Sequence, residues 1–192
     1  MTAVAIKMYT QEEYLEPERT AEYKSEYYRG EIFAMSGASR NHNRITENLS
    51  IEIGVFLKGK SCQSFSSDLR VHIPENTLYT YPDFLIVCGE PEFLDKQTDT
   101  LLNPSVIVEV LSPSTERYDQ GKKFHFYRSL QSLEEYVLID SQEIGAEVHR
   151  KGSDGVWFLS SAAYDIDGSI EIGHIGLTLK VSDIYAQTKN IL

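Results

Sequence analysis

Apolar positions in this chain fall into two kinds of pattern. Over 39–59 they recur at helical spacing: Ile45, Leu49, Ile53, Phe56 and Leu57 share one face, and Gly59 suits the C-terminal end. A shorter helix is predicted from "YTQEEYLE", with Thr10 as N-cap and Glu13 as its capping-box partner. A third is predicted over 114–130, capped near Ser114 or Thr115, and a final short one in "VSDIYAQ". Elsewhere the period is that of strands. "EYKSEYYRGEIFAM" reads as two strands about a turn at Arg29-Gly30. In "DLRVHIP", Leu69, Val71 and Ile73 face one way and Asp68, Arg70 and His72 the other. "YPDFLIVC", "PSVIVEVLS" and "EYVLID" are apolar enough to be central strands, and the segments after 145 read as strand and turn, with Asp167-Gly168 a hairpin turn. The sum is α/β (α+β mixed): a central mixed sheet flanked by helices, in a single domain over 1–192.

Composition narrows the class. A hydrophobic share of 41% and an aromatic share of 11% over 192 residues describe one globular unit with a sizeable core. No apolar run is long enough to cross a bilayer, so no membrane association is expected. The first residues lack the basic start, apolar stretch and small-residue site of a signal peptide. Cys62 and Cys88 have no metal spacing and read as reduced, which points to a cytoplasmic protein. The formal net charge of −11 argues against broad, nonspecific binding to nucleic acid.

One residue breaks the pattern of the strands. From Ser105 to Leu111 the run is almost purely apolar, yet Glu109 sits inside it, on the face of Ile107 and Leu111. Asp83 opens the apolar run "DFLIV" directly after Pro82. An ionised carboxylate among apolar neighbours is costly unless paired or bound to a cation. Asp83 alone could be a strand-end turn residue, and Glu109 alone a buried ion pair. Together on neighbouring strands they would offer hard oxygens suited to Mg²⁺ or Mn²⁺. The helix that follows contributes a cation. At about 100° per residue, Lys123 falls inside the apolar arc with Phe126, Tyr127 and Leu130, and Lys122 lies towards its edge. Asp119 and Lys123 could be an ordinary i,i+4 surface pair; the alternative is a lysine aimed at the two carboxylates.

"YPD" followed by "VIVEVLSPST", then "YDQGKKFHFYRSL" and "EYVLID", resembles the Uma-two family of the PD-(D/E)XK nuclease superfamily. "GEIFAMSGASRNHNRI", "SSDLRVHI" and "IGLTLKVSDIY" extend the likeness from about Tyr9 to Tyr185. The resemblance implies a restriction-endonuclease-like core with a mixed sheet of about four strands, with Asp83 and Glu109 as the motif carboxylates. The superfamily's lysine ordinarily stands two residues after the glutamate, and that position here is Leu111. The family places it on the following helix, which matches Lys123. The implied activity is metal-dependent hydrolysis of DNA phosphodiesters, with the ion held by Asp83, Glu109 and the carbonyl of Val110. In this scheme the metal polarises a phosphoryl oxygen and acidifies water, and Lys123 orients that water or stabilises developing charge.

Smaller roles are expected for other residues. Glu31, His42, Asp68 and Asp119 are candidate supports around the site, and Arg44, Arg117, Lys122 and Arg128 are candidate DNA contacts. His42 and Arg44 stand near a helix start where a phosphate could approach. For a chain this acidic to cut DNA, its basic residues must gather at the pocket, and a twofold homodimer would double such a groove. Strongly salt-dependent binding would follow. The alternatives are a noncatalytic protein that keeps the fold for nucleic-acid binding or assembly, and a metal hydrolase acting on another phosphate ester.

Overall fold

Thr10 caps the first helix through a reciprocal pair of hydrogen bonds: its hydroxyl accepts from the Glu13 N–H at 3.2 Å, and the Glu13 carboxylate accepts from the Thr10 N–H at 2.8 Å. This is the opening of a computed structural model that describes residues 7–191. The expectation of no signal peptide falls partly on residues 1–6, outside the described residues. The helix is α1 (Gln11–Glu18), followed by the hairpin β1 (Ser25–Tyr28) and β2 (Glu31–Ala34). Arg29 and Gly30 turn this hairpin with φ of 48° and 96°, the positive angles that a tight two-residue turn needs.

The long helix α2 (Arg40–Leu57) begins at Ser39, whose hydroxyl accepts from the His42 N–H, and buries Ile45, Leu49, Ile53 and Leu57. Then come β3 (Cys62–Ser66), β4 (Arg70–Ile73), β5 (Leu78–Thr80), β6 (Phe84–Cys88), β7 (Thr100–Leu101) and β8 (Val106–Leu111). The next helix spans 116–127, but its middle, Tyr118–Lys123, is π-helical before α3 (Phe124–Tyr127) resumes the α form. The chain ends through β9 (Glu135–Asp140), β10 (Ala146–Lys151), β11 (Trp157–Ala163), β12 (Ser169–Ile172), β13 (Leu177–Lys180) and the short α4 (Val181–Ile184).

The main sheet has six strands in the order β11-β10-β9-β8-β6-β3, antiparallel except where β8 meets β9. A five-stranded sheet, β2-β1-β5-β4-β7, and the β12–β13 ladder complete the mixed α+β architecture. Alternation along β8 divides its side chains between two cores. Val106, Val108 and Val110 join α2, β12, β13 and α4, whereas Ile107 and Leu111 join β4, β5 and α3. In β6, Phe84 and Ile86 go to the first core, and Leu85 and Val87 to the second. The main sheet is thus covered on both faces, which explains why its strands are so apolar. Among the described residues, no helix is long and apolar enough to cross a membrane.

The alternation read along β4 holds, with Val71 and Ile73 in the second core and Arg70 and His72 buried on the opposite face. Three local expectations are corrected. Cys62 and Cys88 are not reduced: they are registered partners across β3 and β6 and form a disulfide. Their spacing of 26 residues hid this because antiparallel pairing is a long-range property. Asp167-Gly168 does turn the chain, but β11 and β12 do not pair; β12 pairs with β13. The core sheet has six strands rather than about four, β10 and β11 extending one edge.

Candidate active site

The register of β6 against β8 pairs Phe84 with Val108, and its continuation sets Asp83 across from Glu109. Parity then places both carboxylates on the face that packs towards the helix over 116–127. The Asp83 N–H donates to Glu109 Oε2 at 3.4 Å, and the Val110 N–H donates to Asp83 Oδ2 at 2.8 Å. On the helix, the widened π turn keeps Asp119 and Lys123 on one side, and both are buried. The Lys123 ammonium lies 2.9 Å from Glu109 Oε1, 3.5 Å from Asp119 and 3.7 Å from Glu26. The ordinary surface pair considered for Asp119 and Lys123 is therefore a buried one. Tyr127 donates its hydroxyl to Glu109 Oε1 at 3.1 Å, and the Thr80 hydroxyl donates to Glu26.

The charged groups of this cluster line a cavity of about 360 Å³ that opens to solvent. Asp83, Glu109, Val110, Asp119, Lys123 and His42 all border it. His42 Nε2 stands 3.2 Å from Asp83 Oδ2, while its Nδ1 is buried without a partner.

The charge balance is uneven, with Glu26, Asp83, Glu109 and Asp119 gathered around one ammonium. Burial pushes Glu109 well above the usual carboxylate range, Lys123 opposes this, and Asp119 and Asp83 reinforce it. Asp119 is raised by its own burial, again against the pull of Lys123. For Lys123 burial acts downward, but Glu109, Tyr127, Glu26 and Asp119 outweigh it and hold the ammonium well above its ordinary range. Burial is thus the main cause for the two carboxyls and the surrounding acidic groups for the lysine, and all three shifts favour the protonated form.

Other sequence-predicted residues lie elsewhere. Glu31 is exposed at the turn end of the β1–β2 hairpin, beyond Tyr28, which stacks on Phe126. Asp68 is in the turn before β4, its side chain 89% exposed and paired with Lys24. Neither borders this cavity; Asp68, with Lys24, lines an adjoining one. Arg44 is half-buried on α2, and Arg117, Lys122 and Arg128 are exposed; none of the four lines the cavity. Lys122 sits over the Tyr28 ring and Arg128 over Phe124. The gathering of basic residues at the pocket, expected from the charge argument, is not found.

Two participants escaped the sequence reading. Glu26 reaches Lys123 because Tyr27, its neighbour, turns into the cluster with Tyr14 and Tyr79 and sends Glu26 the other way. The alternation of β1 held that signal, but not its destination. Tyr127 was visible as an apolar-arc residue, and only the fold shows its hydroxyl meeting Glu109.

Comparison with known proteins gives the family and the fold. The model of the Uma2 family, described as "Putative restriction endonuclease", matches residues 11–172. The chain belongs to the Uma2 family. It is 41% identical over 160 residues to the uncharacterized protein sll1609 of Synechocystis sp., covering 83% of this chain and 90% of that protein. A second Synechocystis relative, the uncharacterized protein slr1290, is 37% identical over 174 residues, covering 91% of this chain and 90% of its own length. Among solved structures, "a putative nuclease belonging to DUF820" from Anabaena variabilis superposes with a TM-score of 0.72. It covers 91% of this chain and 96% of its own at 21% identity, a likeness of fold. The Uma2 match lies over all the elements that form the pocket.

Proposed function

We propose that this cavity hydrolyses DNA phosphodiester bonds with a Mg²⁺ or Mn²⁺ ion. The observation that carries the reading is the Lys123 ammonium 2.9 Å from Glu109, which itself lies beside Asp83 at the base of an open cleft. The donor set fits a hard divalent cation. Carboxylates outnumber cations in the pocket, and no hydrogen bond engages Asp83 Oδ1. Among the described residues no group of three or more His, Cys, Asp or Glu side chains is arranged to hold a metal. Mg²⁺ is often held by one or two carboxylates, with waters and substrate phosphate as the remaining ligands. Asp83, Glu109 and the Val110 carbonyl would hold the ion. When bound, it supplies Lewis-acid stabilisation of phosphoryl charge and an acidified water.

The chain's own residues do the rest. Lys123 places a fixed positive charge where the phosphoryl group gains negative charge, in a site that screens it poorly. Asp119 and Glu26 keep that ammonium protonated and aimed. Tyr127 fixes the rotamer of Glu109, and His42 that of Asp83. The reading takes a protein acting on DNA as a homodimer.

A noncatalytic protein that keeps the fold for binding or assembly is the second reading; the net charge of −11 and the absence of arginines from the cavity lining favour it over cleavage of a polyanion. Incubation of plasmid and single-stranded DNA with Mg²⁺ or Mn²⁺ separates the two. Cleavage abolished by Glu109→Gln and by Lys123→Met is expected. Intact DNA with every metal and strand form would leave the noncatalytic reading.

A further inference from the structure

A second cavity, of about 540 Å³, adjoins the first. Both are bordered by residues 35–38, His42, Tyr81 and Asp83, so the two are lobes of one trough with Asp83 between them. Each lobe carries one exposed aromatic ring: Phe33, 47% exposed, in the first, and Tyr23, 79% exposed, in the second. Phe33 is in the β1–β2 hairpin, and Tyr23 lies in the bend that leads into β1. Phe33 is the registered partner of Glu26 on the cleft face of β1 and β2, and the Met35 N–H closes the ladder onto the Lys24 carbonyl, next to Tyr23.

The trough has little with which to attract a phosphate backbone. Its lysines are Lys123, surrounded by carboxylates, and Lys24, bonded to Asp68 and the Ser67 carbonyl. Affinity for a polyanion must then come mainly from another source, and exposed aromatic rings offer one. Base faces stack on such rings without regard to sequence. In a duplex those faces are already covered by neighbouring base pairs; in an unpaired strand they are free.

We infer that the trough binds an unpaired DNA strand, with bases stacked on Phe33 and Tyr23 on either side of the phosphate at Asp83 and Glu109. The position of that phosphate rests on the phosphodiesterase reading; the strand preference rests on the two rings.

The test is fluorescence anisotropy of the full chain in Ca²⁺ with three labelled probes of one length: oligothymidylate, a duplex, and a strand of abasic sugar-phosphates. Oligothymidylate should bind at least about tenfold more tightly than either other probe. Phe33→Ala and Tyr23→Ala should each weaken it about tenfold, with Phe33→Tyr and Tyr23→Phe restoring it. Affinity should fall only gently with salt, because few counterions are released. Both rings are exposed, so the alanine variants should keep the wild-type melting temperature. Equal binding of the duplex or the abasic strand, or alanine variants that bind like wild type, would overturn the inference. Tight, ring-dependent binding without cleavage in Mg²⁺ would instead remove the phosphodiesterase reading and leave this one standing. Duplex cleavage indifferent to both rings would do the reverse.

Discussion

Lys123 and Glu109 form a buried ion pair at 2.9 Å, but they are not equals. Lys123 also faces Asp119 and Glu26, whereas Glu109 has Lys123 as its one cationic partner within 4 Å. Removing the lysine strands several carboxylates against one another in a dry site; removing the carboxylate leaves a lysine still paired. Lys123→Met should therefore cost about 3–5 kcal/mol and Glu109→Gln clearly less. Urea melts of the two variants check the order. Equal losses, or a larger loss in Glu109→Gln, would contradict the charge imbalance described for the pocket.

The same imbalance makes a prediction for metal. A divalent cation should stabilise the folded chain by mass action and relieve repulsion among the carboxylates. Asp83→Asn and Glu109→Gln should each reduce the rise in melting temperature caused by millimolar Mn²⁺. Asp83→Asn should also melt no lower than wild type in chelator. Identical Mn²⁺ shifts in all three proteins would remove both residues from the proposed ion site.

His72 lies flat on Tyr79, with ring centroids 4.0 Å apart and planes 10° from parallel, and neither ring nitrogen has a partner. Burial lowers its pKa from 6.5 to about 4. The unfolded chain thus binds a proton that the native chain refuses. The stability tied to neutral His72 is complete above pH 6.5 and is lost as pH falls towards 4. The window corresponds to roughly 3 kcal/mol at most. His72→Phe keeps the stack and buries no unpaired nitrogen, so it should match or exceed wild type at neutral pH and lose less stability on acidification. Parallel pH profiles for the two proteins would show that His72 is not the titrating group.

The Cys62–Cys88 disulfide closes the β3–β6 ladder on the sheet edge nearest α2. A cross-link over 26 residues should contribute about 3–4 kcal/mol by restricting the unfolded chain. Thiol titration of the denatured, unreduced protein should find no free cysteine, and a reductant should lower the denaturation midpoint. Two reactive thiols and an unchanged midpoint would return the pair to the reduced state first expected of it.

Period and parity alone determined much of this protein. The capping box at Thr10, the face of α2, the turn at Arg29-Gly30 and the apolar central strands are local or near-local, and each appears as the pattern requires. The charge placed inside "VIVEVL" marked Glu109, because a buried carboxylate is too costly to be incidental. The apolar arc marked Lys123 even though the segment is π-helical, since four residues bring a side chain back to one face in either form of helix. What the sequence left open are the meetings between distant elements. Glu26 reaching Lys123, Cys62 meeting Cys88, Glu31 standing outside the cleft, and the basic residues missing from its lining all depend on sheet order and layer contacts. Alternation says which side of a strand a residue occupies; only the packing of one sheet on another decides what waits there.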